Sequence, residues 1–281
     1  MLERLRSRLF IRSLLLQGAW NYERMQNIGF AFSLLPALKA TYQDKRELGR
    51  AAARHLELFN TQPFMASLIL GMTAKAEEGI AKSVPERKLE LEEQLRCVKN
   101  AMATAVAAIG DRVFWGLLRP VSLVLSLVLL GPRLLKTLFT VQKYSSPSIL
   151  PGHGLEVLLA ALVIGFLCYN IPAVWLRWRG LSHGYECQGS NSCGVDFIDW
   201  NRLIKKARLA GFALTAALFV LFLTFFTKDL LFKGDTDYGL HSLVVVAFSV
   251  VAVLFVKRFG YTSLRAYAAL MLLFAVFFVI F

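Results

Sequence analysis

Asn60, Thr61 and Gln62 stand side by side, followed by Pro63 and an apolar run over residues 64–74 that closes on Glu77 and Glu78. Amide and hydroxyl side chains both donate and accept hydrogen bonds, which suits them to a neutral polar solute. A helix needs roughly twenty apolar residues to cross a bilayer, so this run cannot cross alone. A short apolar half-helix opened by amides and a proline fits a membrane site for such a solute. Irregular backbone at membrane depth persists only where protein buries it or it lines a cavity. The competing reading is an amphipathic core helix with Asn60 or Thr61 as an ordinary N-cap and Pro63 in its first turn.

Two other groups carry polar chemistry. Gln17, Asn21, Glu23 and Arg24 crowd around Trp20 and Tyr22. Polar groups beside aromatic faces suit a sugar, with hydroxyls at its edge and C–H groups on its face. An interfacial aromatic anchor with a local Glu–Arg pair is the alternative. Further on, Gly110, Asp111 and Arg112 separate two apolar pieces, 101–109 and 113–118, neither long enough to span. Paired short, interrupted apolar segments point to a transporter's midplane site, and a charge in such surroundings is a functional candidate. A plain turn carrying Asp111 and Arg112 is the other possibility.

The elements that position these groups divide the chain at residue 120. In residues 1–16, Arg4, Arg8 and Arg12 share one helical stripe, and Leu2, Leu5 and Leu9 share another. That pattern describes a basic amphipathic helix lying on an anionic leaflet, or a helix packed on the protein's own core. Met25, Ile28, Phe32 and Leu35 follow helical spacing and predict one buried face, with Pro36 kinking or ending the helix. Residues 83–100 read as a solvated helix, with Ser83 and Glu86 at capping-box spacing and Pro85 in the first turn. His55 is expected to pack or cap. From residue 121 the apolar runs lengthen, giving candidate spans at 121–142, 157–176, 209–226, 240–256 and 264–281. Basic loops at 177–208 and around Lys257, Arg258 and Arg265 place the N-terminus on the cytoplasmic side. The expected fold is an all-α polytopic membrane protein. Its N-terminal region, 1–120, holds short broken or re-entrant helices and the candidate sugar site; region 121–281 holds about five spans.

Composition narrows the function further. A hydrophobic fraction of 56% exceeds the roughly 45–50% of ordinary soluble domains. The formal net charge is +13, and the basic residues after residue 120 fall mostly in short loops beside apolar spans. Membrane topology explains it, and no nucleic-acid signature appears. Cys97, Cys168, Cys187 and Cys193 form no standard metal spacing, even with His183 nearby. No phosphate-cradling glycine loop, G-x-S-x-G elbow or H-E-x-x-H is present. His55, His153, His183 and His241 are scattered, and no cofactor is expected.

Three stretches, LLLQGAWNYERMQNIGFAFSLLPALK, RHLELFNTQPFMASLILGMTAKAEE and GDRVFWGLLRP, resemble component IID of the mannose/fructose/sorbose class of bacterial sugar phosphotransferase systems, in that family's order. The resemblance covers residues 10–120 and is slight beyond them. It implies a multi-pass inner-membrane permease subunit in a hetero-oligomer with a second membrane component, IIC. Cytoplasmic IIA and IIB would phosphorylate the hexose as it arrives, so this chain would be a non-catalytic subunit. The resemblance also implies substrate contacts at Asn21, Glu23, Asn60, Gln62 and Asp111, with Trp20 and Trp115 stacking or packing and Glu77 and Glu78 as outside candidates. The family's run before Gly-Asp resembles M-G-P-L-A-G-x-G-D. Here residues 102–109 carry alanine and β-branched residues instead, which favours continuous helix. The alternative function is a non-transporting IID-like scaffold or receptor that docks soluble phosphotransferase components.

Overall fold

The structure is a computed structural model and describes residues 3–140, 154–187 and 198–232. Among them the chain is helical: α1 (Glu3–Ser13), α2 (Asn27–Thr41), α3 (Lys45–Arg54), α4 (Ala66–Lys82), α5 (Pro85–Val113), a π-helical turn at Phe114–Leu118, α6 (Arg119–Thr140), α7 (Gly154–Glu186) and α8 (Trp200–Phe232). Among the described residues, two stretches are long and apolar enough to cross a membrane, Pro85–Leu130 and Glu156–Glu186. The candidate spans 121–142 and 157–176 coincide largely with α6 and α7, and 209–226 falls inside α8. Those at 240–256 and 264–281 lie outside the described residues.

The centre of the fold is α4, in which every residue from Ala66 to Ala74 is buried. Its partner is the end of α7, and small residues let the two backbones meet. A Cβ added to Gly184 would stand 1.9 Å from the Leu68 carbonyl oxygen, and one on Gly71 would stand 2.2 Å from that of Leu181. Ser67 and Gly71 on α4 thus face Gly180 and Gly184 on α7, each pair four apart. This small-xxx-small spacing lets helices approach until packing alone holds them. Ser67 meets Gly180, Gly71 meets Leu181, and Lys75 lies under Tyr185. Positions rise together, so the helices run parallel. They touch beyond the apolar stretch 157–176, where Arg177 and Arg179 begin the polar end of α7.

α1 settles one of the open alternatives. Leu9 is buried in the shared core, Leu5 packs against it and Arg6 stacks over Trp178, so its apolar stripe packs on the protein.

Several expectations need correction. The buried face of α2 is Phe30, Leu34, Ala37 and Leu38, whereas Ile28 and Phe32 are exposed. The helix is apolar nearly all round, so spacing alone could not choose the face. Pro36 neither ends nor interrupts α2. Val84, not Ser83, is the N-cap of α5, with Pro85 in its first turn. Gly110–Arg112 is no break, because α5 runs through it to Val113. Its alanines are strong helix formers. The irregularity comes just after, as the π-helical turn, a device common near functional sites.

Candidate functional site

The non-helical run between α3 and α4, residues 55–65, is threaded through the three motifs. A tight turn at residues 21–25 brings the first motif against it. Asn21 N donates to Met25 O at 3.1 Å, and Met25 N donates back to Asn21 O at 3.0 Å. Met25 takes a φ of 59°, the left-handed region that non-glycine residues rarely occupy. Such strain persists only where surroundings over-determine it. Here the next residues are stitched to the loop: Gln26 N donates to Phe59 O at 2.8 Å, and Phe59 N to Arg24 O at 3.3 Å.

Gln26 then clamps Thr61, two residues on from Phe59, with its side chain. Nε2 donates to Thr61 O at 2.9 Å, and Oε1 accepts from Thr61 N at 3.1 Å. The Thr61 hydroxyl donates to Ala103 O of α5 at 2.9 Å. Gln62 lies against Gly110, where an added Cβ would stand 2.5 Å from its Cβ and Cγ. Glycine at 110 is therefore a steric requirement for this loop. Gln62 Oε1 accepts from Phe64 N, while its buried Nε2 has no protein partner among the described residues. Beside it, Phe64 packs on Phe114 and Tyr169. Arg177, buried on α7, donates to Pro63 O at 2.9 Å and lies over the Phe64 ring.

The residues expected to touch substrate separate into two groups. Asn21, Asn60 and Gln62 belong to this loop and its turn. Asn21 is committed to the turn itself, donating to Asn27 Oδ1 and accepting from Arg24 N. Asn60 is exposed and makes no side-chain hydrogen bond among the described residues. Glu23, Asp111 and Trp115 do not converge on it. Glu23 is 81% exposed and pairs with Arg24. Asp111 is exposed on α5, and Trp115 is half-exposed under the Arg119 guanidinium. Trp20 sits edge-on to Tyr22 at the exposed end of the turn.

A second polar centre lies behind the loop. Glu77, fully buried on α4, accepts from Tyr42 Oη at 2.7 Å, from His55 Nε2 at 2.7 Å, and pairs with Arg54 Nε at 3.4 Å. Arg54 also pairs with Glu92 of α5. Burial alone would push the Glu77 carboxyl up, but the hydrogen bonds from His55 and Tyr42 and the Arg54 charge outweigh it and hold the group below its ordinary value. Burial pushes His55 below the ordinary histidine value despite the neighbouring carboxylate. Burial and the Glu77 hydrogen bond raise Tyr42. The arrangement is an ionised carboxylate held by a neutral imidazole, a phenol and a guanidinium. A cleft of about 150 Å³ opens alongside, walled in part by Arg54, His55, Glu57, Arg96 and the buried Lys99.

His55 packs and caps as expected, buried and ending α3 with its backbone N–H toward Ala52 O and Ala53 O, and its ring adds the hydrogen bond to Glu77. Gln26, Tyr42, Arg54 and Arg177 were not singled out from sequence. Gln26 and Arg54 had a signal, their places inside the first motif and at the head of the second. Tyr42 and Arg177 are joined to their partners by tertiary contacts between residues 35 and 114 positions apart. Among the described residues, no three His, Cys, Asp or Glu side chains group to hold a metal ion. Cys193 lies outside the described residues.

Residues 3–134 match the family model of the PTS system mannose/fructose/sorbose family IID component. The mannose-specific EIID component of Escherichia coli K12 is 40% identical over 192 residues, covering 68% of this chain and 56% of that protein. The fructose permease IID component of Bacillus subtilis is 36% identical over 115 residues, 40% of each chain. The sorbose-specific EIID component of Klebsiella pneumoniae is 34% identical over 137 residues, 47% of this chain and 48% of that one. The chain therefore aligns with only about half the length of these relatives. Among solved structures, a chain of the mannose transporter ManYZ in complex with microcin E492 shares the fold, with a TM-score of 0.50 at 22% identity over 99% of this chain and 97% of its own. A second chain, described as a membrane protein, reaches 0.59 at 23% identity over the same shares.

Proposed function

From the premise that residues 3–134 fall within the mannose/fructose/sorbose IID family, we propose that this chain is a permease subunit of a hexose phosphotransferase system, working with a IIC membrane partner. The carrying observation is the meeting of three separate motifs at one loop. Asn21–Asn27, Phe59–Gln62 and Ala103–Gly110 are tied by main-chain and side-chain hydrogen bonds and by the Gly110 contact. Non-helical backbone costs several kcal/mol per unsatisfied group when buried. Here the Thr61 N–H and C=O are satisfied by Gln26, which leaves the Asn60 and Gln62 amides to face a solute.

In this reading Asn60 and Gln62 hydrogen-bond the hexose, Gln26 fixes the loop, and Arg177 holds its Pro63 end. Rigid-body movement against the partner then exposes the sugar inward, where IIA and IIB supply phosphorylation. The subunit sits in the inner membrane as a multi-pass protein with a cytoplasmic N-terminus, and re-entrant segments and further spans complete it. Relatives are named for mannose, fructose and sorbose, so these are the probes of choice. Membrane vesicles carrying this chain and its IIC partner should lose uptake when Asn60 becomes alanine. Uptake unchanged in Asn60→Ala and Gln62→Ala together would remove the loop from the site.

The exposure of Asp111 and Glu23 favours a second reading, in which the chain docks soluble phosphotransferase components without moving sugar. A complex that binds a IIB-type protein but none of the three hexoses would establish it.

A further inference from the structure

We infer that Glu77 is a positioning residue for the Asn60–Gln62 loop, and that through His55 it makes the loop's closure sensitive to acid. The inference rests on the reading of that loop as the hexose contact. Glu77 is fully buried, yet every group that holds it comes from a different element. Tyr42 extends from the end of α2, Arg54 from the end of α3, and His55 is the first residue of the non-helical run. Glu92 of α5 joins through Arg54. The carboxylate thus fixes where the loop departs, five residues before Asn60, while Gln26 fixes its middle. Neither contact duplicates the other.

The acid sensitivity follows from the geometry of His55. Its Nε2–H donates to Glu77 Oε1, whereas its buried Nδ1 has no partner among the described residues. Phe30 lies edge-on to the ring. A second proton would place an N–H on Nδ1 with nothing to accept it, which costs the full desolvation of a buried donor. The charged groups around the site are Arg54 from α3, Glu57 from the loop, and Glu92, Glu93, Arg96 and Lys99 from α5, with the Tyr42 phenol from the end of α2. On the α7 side, Tyr185 is engaged by Glu78 and Lys75. Arg54 and Lys99 oppose protonation of His55, and Glu77 favours it. The folded-state value lies below the ordinary 6.5. An open loop therefore takes up the proton first, and opening becomes easier as pH falls through that ordinary value.

Hydrogen exchange of the Phe59 and Thr61 amides, corrected for intrinsic rate, reads loop closure in the full chain reconstituted in nanodiscs. Glu77→Gln should lower their protection at least about tenfold, the loss expected from hydrogen bonds to a charged acceptor, while α7 stays protected. Wild type should lose protection at the same two amides between about pH 7 and about pH 5.5. His55→Gln keeps a donor near Nε2 and cannot titrate. It should retain protection at neutral pH and lose the acid response, which a merely structural contact would not do. Protection unchanged in Glu77→Gln, or an acid response in His55→Gln equal to wild type, overturns the inference. Should Glu77→Gln fail to fold, the wild-type titration and His55→Gln carry the test. Mannose affinity on the same samples separates the two readings. A loop that opens without loss of affinity leaves the Glu77 clamp standing and removes the loop from hexose binding.

Discussion

Replacing Gln26 by alanine should disable the loop while leaving the helices in place. The Gln26 side chain is 2% exposed, and its only described side-chain partners are the N–H and C=O of Thr61, itself 4% exposed. Alanine removes both hydrogen bonds and leaves two buried backbone groups without partners. Each such group costs about 1–3 kcal/mol, so the closed loop should lose roughly 2–6 kcal/mol relative to an open, hydrated one. Even the lower figure is about a thirtyfold shift in the closed-to-open ratio. Gln26→Asn, one methylene shorter, should lose nearly as much because it cannot reach both groups together. The assay is equilibrium mannose binding to the purified membrane complex, with circular dichroism to confirm that helix content holds. Affinity in Gln26→Ala within about twofold of wild type, together with unchanged protection of the Phe59 amide from hydrogen exchange, would refute the reasoning, because affinity follows the closed fraction and protection follows the closed-to-open ratio itself.

Four further outcomes follow from the packing. Gly184→Val should unfold or strongly destabilise the protein in a thermal melt, since its Cβ would stand 1.9 Å from the Leu68 carbonyl oxygen. Gly79→Ala, where an added Cβ meets nothing within 4 Å, should instead stabilise α4 by roughly 0.5–1 kcal/mol; a destabilised Gly79→Ala would count against this placement of α4. Tyr42→Phe removes one hydrogen bond to the buried Glu77 carboxylate and should cost about 1.5–3 kcal/mol by chemical denaturation. Asp111→Asn, at an exposed position, should change stability by less than about 0.5 kcal/mol, so any loss of sugar uptake in it reports function rather than folding.

How much of this could be read from residues alone varied with the range of the interaction. The apolar helices at 121–142, 157–176 and 209–226 are local patterns, and α6, α7 and α8 lie over them; the spans at 240–256 and 264–281 lie outside the described residues. The buried face of α2 was misjudged because Ile28, Phe30, Phe32 and Leu34 are all apolar, and only contact with α4 decides among them. The apparent break at Gly110–Arg112 was a steric glycine inside a continuous helix, its role visible only once Gln62 lies against it. Asp111 drew attention as a charge among apolar residues, yet helical geometry turns it outward. The Glu77 cluster was hidden most deeply. Its members lie at residues 42, 54, 55 and 77, and their spacing says nothing until α2, α3 and α4 meet.

The most direct test is the affinity of the purified complex for mannose, fructose and sorbose with Gln62 intact and with Gln62→Ala, a substitution at a buried amide whose Nε2 has no protein partner among the described residues. If that amide serves the sugar, at least one hexose binds the wild type and its affinity falls by about tenfold or more, the value of roughly one hydrogen bond in a desolvated site. Equal affinity in a folded Gln62→Ala complex, for whichever hexose binds, would contradict the account.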